Sequence, residues 1–319
     1  MSAIADAPAD RLGDTVAAAY HPKVRWSGSH PLDELDGADA IAAVVWGPMR
    51  DALPDLERRD TILLGGRSDD SDWIAAIGHY QGTFVRDWLG IPATGGVVDI
   101  RYGEFDQMVD GRIVRSHVLI DFLDLMRQAG VWPIAPSLGA EAMWPGPATQ
   151  DGLLIGAQDP ALSAARLKLV RDMHRGLLVY DGKSLSSMDH ARYWHPKMMW
   201  YGPSGIGTTR ALKGFEDFHQ VPFLKAFPDR AGAGHYAEIA EGEYVATGGW
   251  PSLTATHLGG DWLGLAPTGR TVAMRVMDFY RCADGLIREN WVPIDIIDIL
   301  RQLGVDVFGR MHLRRGRVG

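Results

Sequence analysis

The sequence predicts an α+β protein built from two tandem copies of one cone-shaped domain, each a curved, mostly antiparallel sheet packed with short helices. The first observation behind this is a long repeat. Asp87-Trp-Leu-Gly-Ile-Pro-Ala-Thr-Gly95 returns 174 residues later as Asp261-Trp-Leu-Gly-Leu-Ala-Pro-Thr-Gly269, His21-Pro-Lys returns as His195-Pro-Lys, and residues 101–131 align without gaps on 275–305. Solenoid periods run about 20–50 residues, so this spacing marks duplication of a whole domain. The second observation is the order of elements. Each half has a helical front, then strands joined by hairpin signals such as Asp110-Gly111 and Asp284-Gly285, then one short helix. Runs of strands beside runs of helices indicate α+β rather than alternating α/β. The third is length, since 319 residues suit two domains.

Residues 1–10, rich in Ala, Asp and Pro, read as a disordered lead. A short helix is expected over 14–20 and a strand over 23–27. Helical periodicity over 39–51 (Ile41, Val44, Val45, Met49) stops at Leu53-Pro-Asp55. Strands follow over 61–64, 73–80, 97–109 and 112–120. Asp121 then caps a short helix that Gly130 closes. Residues 133–158 have a Pro/Gly-rich linker composition, and Trp132 and Trp144 suggest that it packs on something. Asp159-Pro160 opens the strongest helix, with Leu162, Leu167, Val170, Met173 and Leu177 on one face. The second copy repeats the plan: strand over 195–200, helix over 214–227, strands over 236–240, 243–250, 271–282 and 286–294, and a last helix capped by Asp295 and ending at Gly304. The domains are therefore expected at 1–135 and 159–319, joined by 136–158.

Composition narrows the function. Hydrophobic residues make up 46% and charged residues 23%, with a net charge of −8. That balance disfavours a nucleic-acid surface, which needs a concentrated basic face. The basic cluster Arg310 to Arg317 reads as a solvated end. Cys282 stands alone, so no internal disulfide can form, and its place in a strand predicts a buried, inert thiol. No apolar run approaches a membrane span and no leader pattern opens the chain; a cytoplasmic protein is expected. The 11 histidines include no His-x-His or His-Glu-x-x-His pattern, so no metal is expected. Gly202-Pro-Ser-Gly-Ile-Gly207 lacks the lysine of a phosphate loop and reads as a turn.

Several motifs carry a family resemblance. Phe227-Pro-Asp229, Thr256-His-Leu-Gly259, Gly264-Leu-Ala-Pro-Thr-Gly269 and Asp284-Gly-Leu-Ile-Arg-Glu-Asn-Trp-Val-Pro-Ile-Asp295 resemble the SnoaL-like polyketide cyclase family, of the NTF2-like cone fold. The match is fuller in copy two. In copy one the closing motif has Arg115 and His117 where copy two has Glu289 and Trp291. The resemblance implies two NTF2-like cones and ring closure or isomerisation by acid/base chemistry, without an organic cofactor or metal. It fixes the fold better than the reaction, because function lives in the site and not in the fold.

A carboxylate in an apolar pocket becomes a usable base at neutral pH, and an enolate needs a hydrogen-bond donor. Asp295 and Asp121 are the carboxylate candidates, although both stand where a helix cap belongs. His257 and His79 are the proton-shuttle candidates; aligning His79 on His257 needs extra residues in copy one, and Thr83 is the ungapped alternative. Glu289, Trp291 and Asp295 share one strand face, as do Arg115, His117 and Asp121; alternation does not say whether that face lines a pocket or an interface. His21 and His195 read as structural. Trp26, Trp200, Tyr201, Trp250 and Tyr280 could line a pocket or simply form core. The expected function is cofactor-independent acid/base catalysis on a small carbonyl or polyketide-like compound, with Asp295 as base and His257 as donor. The alternatives are a dehydratase or hydrolase in the same pocket, or a non-catalytic binding module. The expected partner is a small molecule, and the two copies are expected to pack as an internal pseudo-dimer, with a further homo-oligomer open.

Overall fold

The computed structural model describes residues 1–315. Sheet one comprises β1 (Tyr20–Gly28), β2 (Glu34–Asp36), β3 (Glu57–Ser68), β4 (Ser71–Thr83), β5 (Val97–Val109) and β6 (Arg112–Ile120), in the order β2-β1-β6-β5-β4-β3. Sheet two comprises β7 (Trp194–Tyr201), β8 (Thr209–Arg210), β9 (Ala231–Gly232), β10 (Ala237–Glu241), β11 (Tyr244–Thr256), β12 (Thr271–Ala283) and β13 (Leu286–Trp291). Its order is β10-β11-β12-β13-β7-β8, with β9 on β11. All pairs are antiparallel except β1 with β6 and β7 with β13. This is the α+β architecture, stated twice. Asp110 and Gly111, and Asp284 and Gly285, all take positive φ, as the tight hairpin turn demands.

Each sheet has two buried faces. Inward-facing residues alternate with residues facing the other sheet. On β5, Ile100 and Tyr102 join the cone core while Phe105 joins a second cluster between the sheets; on β12, Met274, Val276 and Tyr280 face the cone while Met277 and Phe279 face sheet one. Phe105 and Phe279 meet with ring centroids 5.6 Å apart. Trp26 and Trp200 lie over Gly28 and Gly202, where a Cβ would stand 2.1 Å from the ring, so both positions require glycine.

The helices close the cones. The front helix of each copy contains a π-turn, Ala42–Trp46 and Glu216–Gln220, directly before the segments holding Pro48 and Pro222. Proline has no N–H for the carbonyl behind it, so the ladder is interrupted there. Pro160–Leu177, capped by the Asp159 side chain, packs on β10 and β11. Residues 133–158 hold no helix and no named strand, yet they are pinned to both sheets. Leu63 exchanges backbone bonds with Gly152 and Leu154, Trp291 donates its indole N–H to the Pro145 carbonyl at 2.8 Å, and Trp144 is buried under Arg101.

Three expectations are corrected. The lead at 1–10 is ordered: Ser2–Ala5 is helical, and Ile4 is 1% exposed in the core. The basic end keeps Arg310 and Arg314 exposed, as a solvated end would, but it also forms a further helix, Val307–Arg315, with Val307 and Met311 buried; residues beyond 315 lie outside those described. The repeat offset is not constant. Gly78 and Tyr80 pair with Tyr102 and Ile100, whereas Gly249 and Leu253 pair with Val276 and Met274, so Trp250-Pro251-Ser252 bulges where His79 stands alone.

Candidate active site

Asp295 does what a cap does, and more. One carboxylate oxygen accepts from Asp298 N at 3.1 Å, and the other accepts from His30 N of the first copy at 2.9 Å and pairs with Arg275 at 3.1 Å. Asp121 mirrors it, accepting from Asp124 N at 2.9 Å and from Ser204 N of the second copy at 3.1 Å. Each aspartate thus ties its own helix to the other copy. Burial pushes both carboxyls up to about 6. The free space beside Asp121 is about 10 Å³, enough for about one water and no substrate.

The expected partners lie elsewhere. His257 is fully buried against Phe227, with Thr268 at 3.4 Å, and no hydrogen bond or ion pair joins it to Asp295. Its true counterpart is Phe84, neither His79 nor Thr83. Thr83 N and Thr256 N donate the same bond to the aspartates of Leu53-Pro-Asp55 and Phe227-Pro-Asp229, and the next residue in each copy exchanges bonds with the same Thr-Gly turn. His79 sits on the sheet-facing side of β4, 3.7 Å from Asp99. His117 also faces the other sheet: it stacks on Tyr236 at 4.1 Å and touches Trp250, and burial pushes its pKa down to about 3. Glu289 binds Arg281, Tyr201 and Ala148 N, and Trp291 stacks on Tyr201. Trp250 lies under Arg275. The face shared by Glu289, Trp291 and Asp295 is therefore the contact between the copies. Of the expected lining, Trp200 and Tyr280 face cone two and Trp26 faces cone one.

Cone two holds a polar group that the sequence reading missed. Asp278, on the inward face of β12, is part-buried. Its carboxylate accepts from Asn290 Nδ2 at 3.2 Å and is bonded by the Tyr280 hydroxyl, and burial pushes it up to about 6. Tyr280 in turn meets His174 Nε2 at 2.8 Å. His174, on Pro160–Leu177, stacks on His235 at 4.9 Å; burial, then the neighbouring His235, drives its pKa down to about 3. His235 Nδ1 lies 3.1 Å from Glu238, whose carboxyl is held at about 2 by the bonds from His235 and Arg171. A cavity of about 160 Å³ opens between residues 135–138, the π-turn and the loop 261–264; it is lined by Phe218, Trp262 and His219 and not by Asp278, and His219 stacks on Trp200 at 4.2 Å. Period-two alternation placed Asp278 inward among apolar neighbours, and that was the available signal.

Cone one is filled differently. Glu104 is 2% exposed and paired with Arg58, Asp60 bonds Tyr102, and Tyr20, Tyr80 and Trp46 fill the interior. Asp106, with one oxygen unpartnered, is pushed well above the usual carboxylate range by burial. Cys282 is buried and its thiol is pushed up to about 12, as an inert thiol requires. Among the described residues no helix is long and apolar enough to cross a membrane.

Comparison with known proteins agrees with this layout. The model of the SnoaL-like polyketide cyclase family matches residues 4–129 and again 179–303. No match is found among curated proteins. Similar solved structures include AclR from Streptomyces galilaeus (26% identity, 44% of this chain and 82% of that one, TM-score 0.35). IdmH from Streptomyces antibioticus is 18% identical over 40% of this chain and 91% of its own (TM-score 0.34). An NTF2-like protein from Burkholderia xenovorans LB400 is 16% identical over 44% and 97% (TM-score 0.34).

Proposed function

The chain belongs to the SnoaL-like polyketide cyclase family, and on that premise we propose that cone two is its catalytic site, with Asp278 as general base. The reaction is acid/base chemistry on a small carbonyl or polyketide-like compound, ending in aldol-type ring closure or isomerisation. The single observation that carries this is Asp278 itself: a part-buried carboxylate on the cone's inner wall, bonded by the Asn290 and Tyr280 side chains and raised to about 6 by burial. A base of that strength is mostly ionised at neutral pH yet still takes a proton readily. It would remove a proton next to the substrate carbonyl. The enolate then attacks a second carbonyl carbon, and the proton returns from Asp278 to the new alkoxide. For isomerisation, the proton returns to a different carbon. Asn290 and Tyr280 hold the carboxylate in place.

Cone one acts in this reading as a partner domain, its Glu104 neutralised by Arg58 and its interior filled. The two-copy arrangement replaces a dimer of single cones; the reciprocal bonds of Asp121 and Asp295 support it. The test is α-proton exchange into D2O, followed by NMR over a panel of 1,3-dicarbonyl and aryl-ketone compounds. At least one compound exchanges faster with the protein than in buffer, and Asp278→Asn lowers that rate ~100-fold or more. Exchange that is unaffected by Asp278→Asn would remove Asp278 from the reaction.

A further inference from the structure

We propose that His174, His235 and Glu238 form a binding site for a zinc-class divalent cation at the edge of cone two. The three come from different elements: the helix Pro160–Leu177, the loop before β10, and β10 itself. Each offers one ligand atom, and those atoms all lie within 4.8 Å of one another. A tetrahedral zinc with donors at about 2.0–2.1 Å needs them roughly 3.3 Å apart. Small side-chain rotations close that gap, since His235 Nδ1 and Glu238 Oε1 are already at 3.1 Å.

Two further observations favour a cation. His174 Nδ1 is buried and has no hydrogen-bond partner, an expensive state for a polar atom that a metal bond would relieve. The outer groups are also those of a ligand set. His174 turns its other nitrogen to the Tyr280 hydroxyl at 2.8 Å, and Arg171 Nε donates to the second Glu238 oxygen at 2.6 Å. Such bonds fix the imidazole and carboxylate orientation in metal sites. Two imidazoles and one carboxylate suit zinc or a neighbouring first-row ion, and three protein ligands leave a position open. The ligands are far apart in sequence, so no short motif announces them. The site stands independently of Asp278's role; if both hold, the cation would supply Lewis-acid chemistry to the same cone.

The test uses the full chain stripped with EDTA, titrated with Zn²⁺ by calorimetry and with Co²⁺ by visible absorption. The expected result is one saturable site per chain with a tetrahedral cobalt spectrum. His235→Ala and Glu238→Gln, each checked for folding by circular dichroism, weaken zinc at least tenfold, whereas His195→Ala, outside the cluster, does not. Absence of stoichiometric binding, or binding indifferent to His235→Ala and Glu238→Gln, overturns the proposal.

Discussion

At the residue scale, catalysis depends on which carboxylate is free to react. Asp295 and Asp278 share a raised pKa for the same cause, burial. Asp295 spends both oxygens on backbone N–H groups and Arg275, while part-buried Asp278 is bonded only by the Asn290 and Tyr280 side chains among the contacts that fix it. A shift in pKa therefore does not identify a base without its hydrogen-bond partners. For Asp278 the folded value, about 6, lies above that of an ordinary aspartate, about 3.9. The folded state binds the extra proton, so this group's contribution to stability is present at low pH and is lost as pH rises through that window. Asp278→Asn removes the charged form, and Asn290 can still donate to the new amide oxygen. Its melting temperature should exceed the parent's at pH 7.5 and converge with it near pH 4, as calorimetry would read. His257→Phe makes a second case. Phe84 fills the matching position in copy one, so this near-isosteric change should shift stability by less than about 1.5 kcal/mol and leave proton exchange within about twofold. A large loss of exchange would restore His257 to the chemistry.

At the element scale, strand alternation was legible and its meaning was not. The long strand 97–109, the hairpin turns and both Asp-capped helices follow from local chemistry, and they stand where the sequence puts them. The face of Glu289, Trp291 and Asp295 was ambiguous for a physical reason. In most single-sheet domains one face is polar and declares itself; here both faces are buried, one in its cone and the other against the second sheet. The lead at 1–10 was misread because its few apolar residues, Ile4, Ala5 and Ala7, find a ready-made core that composition does not reveal. His174, His235 and Asp278 come together only when the helix Pro160–Leu177 docks on the sheet. The Asp295 clasp gives a prediction at this scale. Asp295→Ala removes a cap worth about 1 kcal/mol and leaves Arg275 without its closest carboxylate. Breaking a buried pair from one side costs about 3–5 kcal/mol. Urea unfolding should therefore show a loss of at least about 3 kcal/mol, and Asp295→Asn a smaller one.

At the scale of the whole molecule, duplication lets the two copies diverge while sharing one interface. The offset of 174 revealed the two copies from the sequence alone; the bulge at 250–252 and the different filling of the two cones could be seen only once the strands were paired. Cone one carries Arg58 where cone two has Gly232, each opposite the matching residue of the neighbouring strand. That exchange of a buried cation for a glycine separates Glu104, neutralised by Arg58, from its counterpart Asp278, held by Asn290 and Tyr280. Because Phe105, Phe279 and Trp291 fill the space between the sheets, the copies should unfold together. Phe105→Ala should lower stability by about 3–5 kcal/mol in a single transition seen identically by fluorescence and circular dichroism. Two separated transitions would mean that the interface contributes little.

The assignment of Asp278 as base is decided by the pH profile of α-proton exchange in three proteins: the parent, Asp278→Asn, and Asp106→Asn in cone one. The rate should rise with pH to a plateau above about 6 in the parent, follow the same profile in Asp106→Asn, and be lost in Asp278→Asn. A profile that survives Asp278→Asn, or disappears in Asp106→Asn, would contradict that assignment.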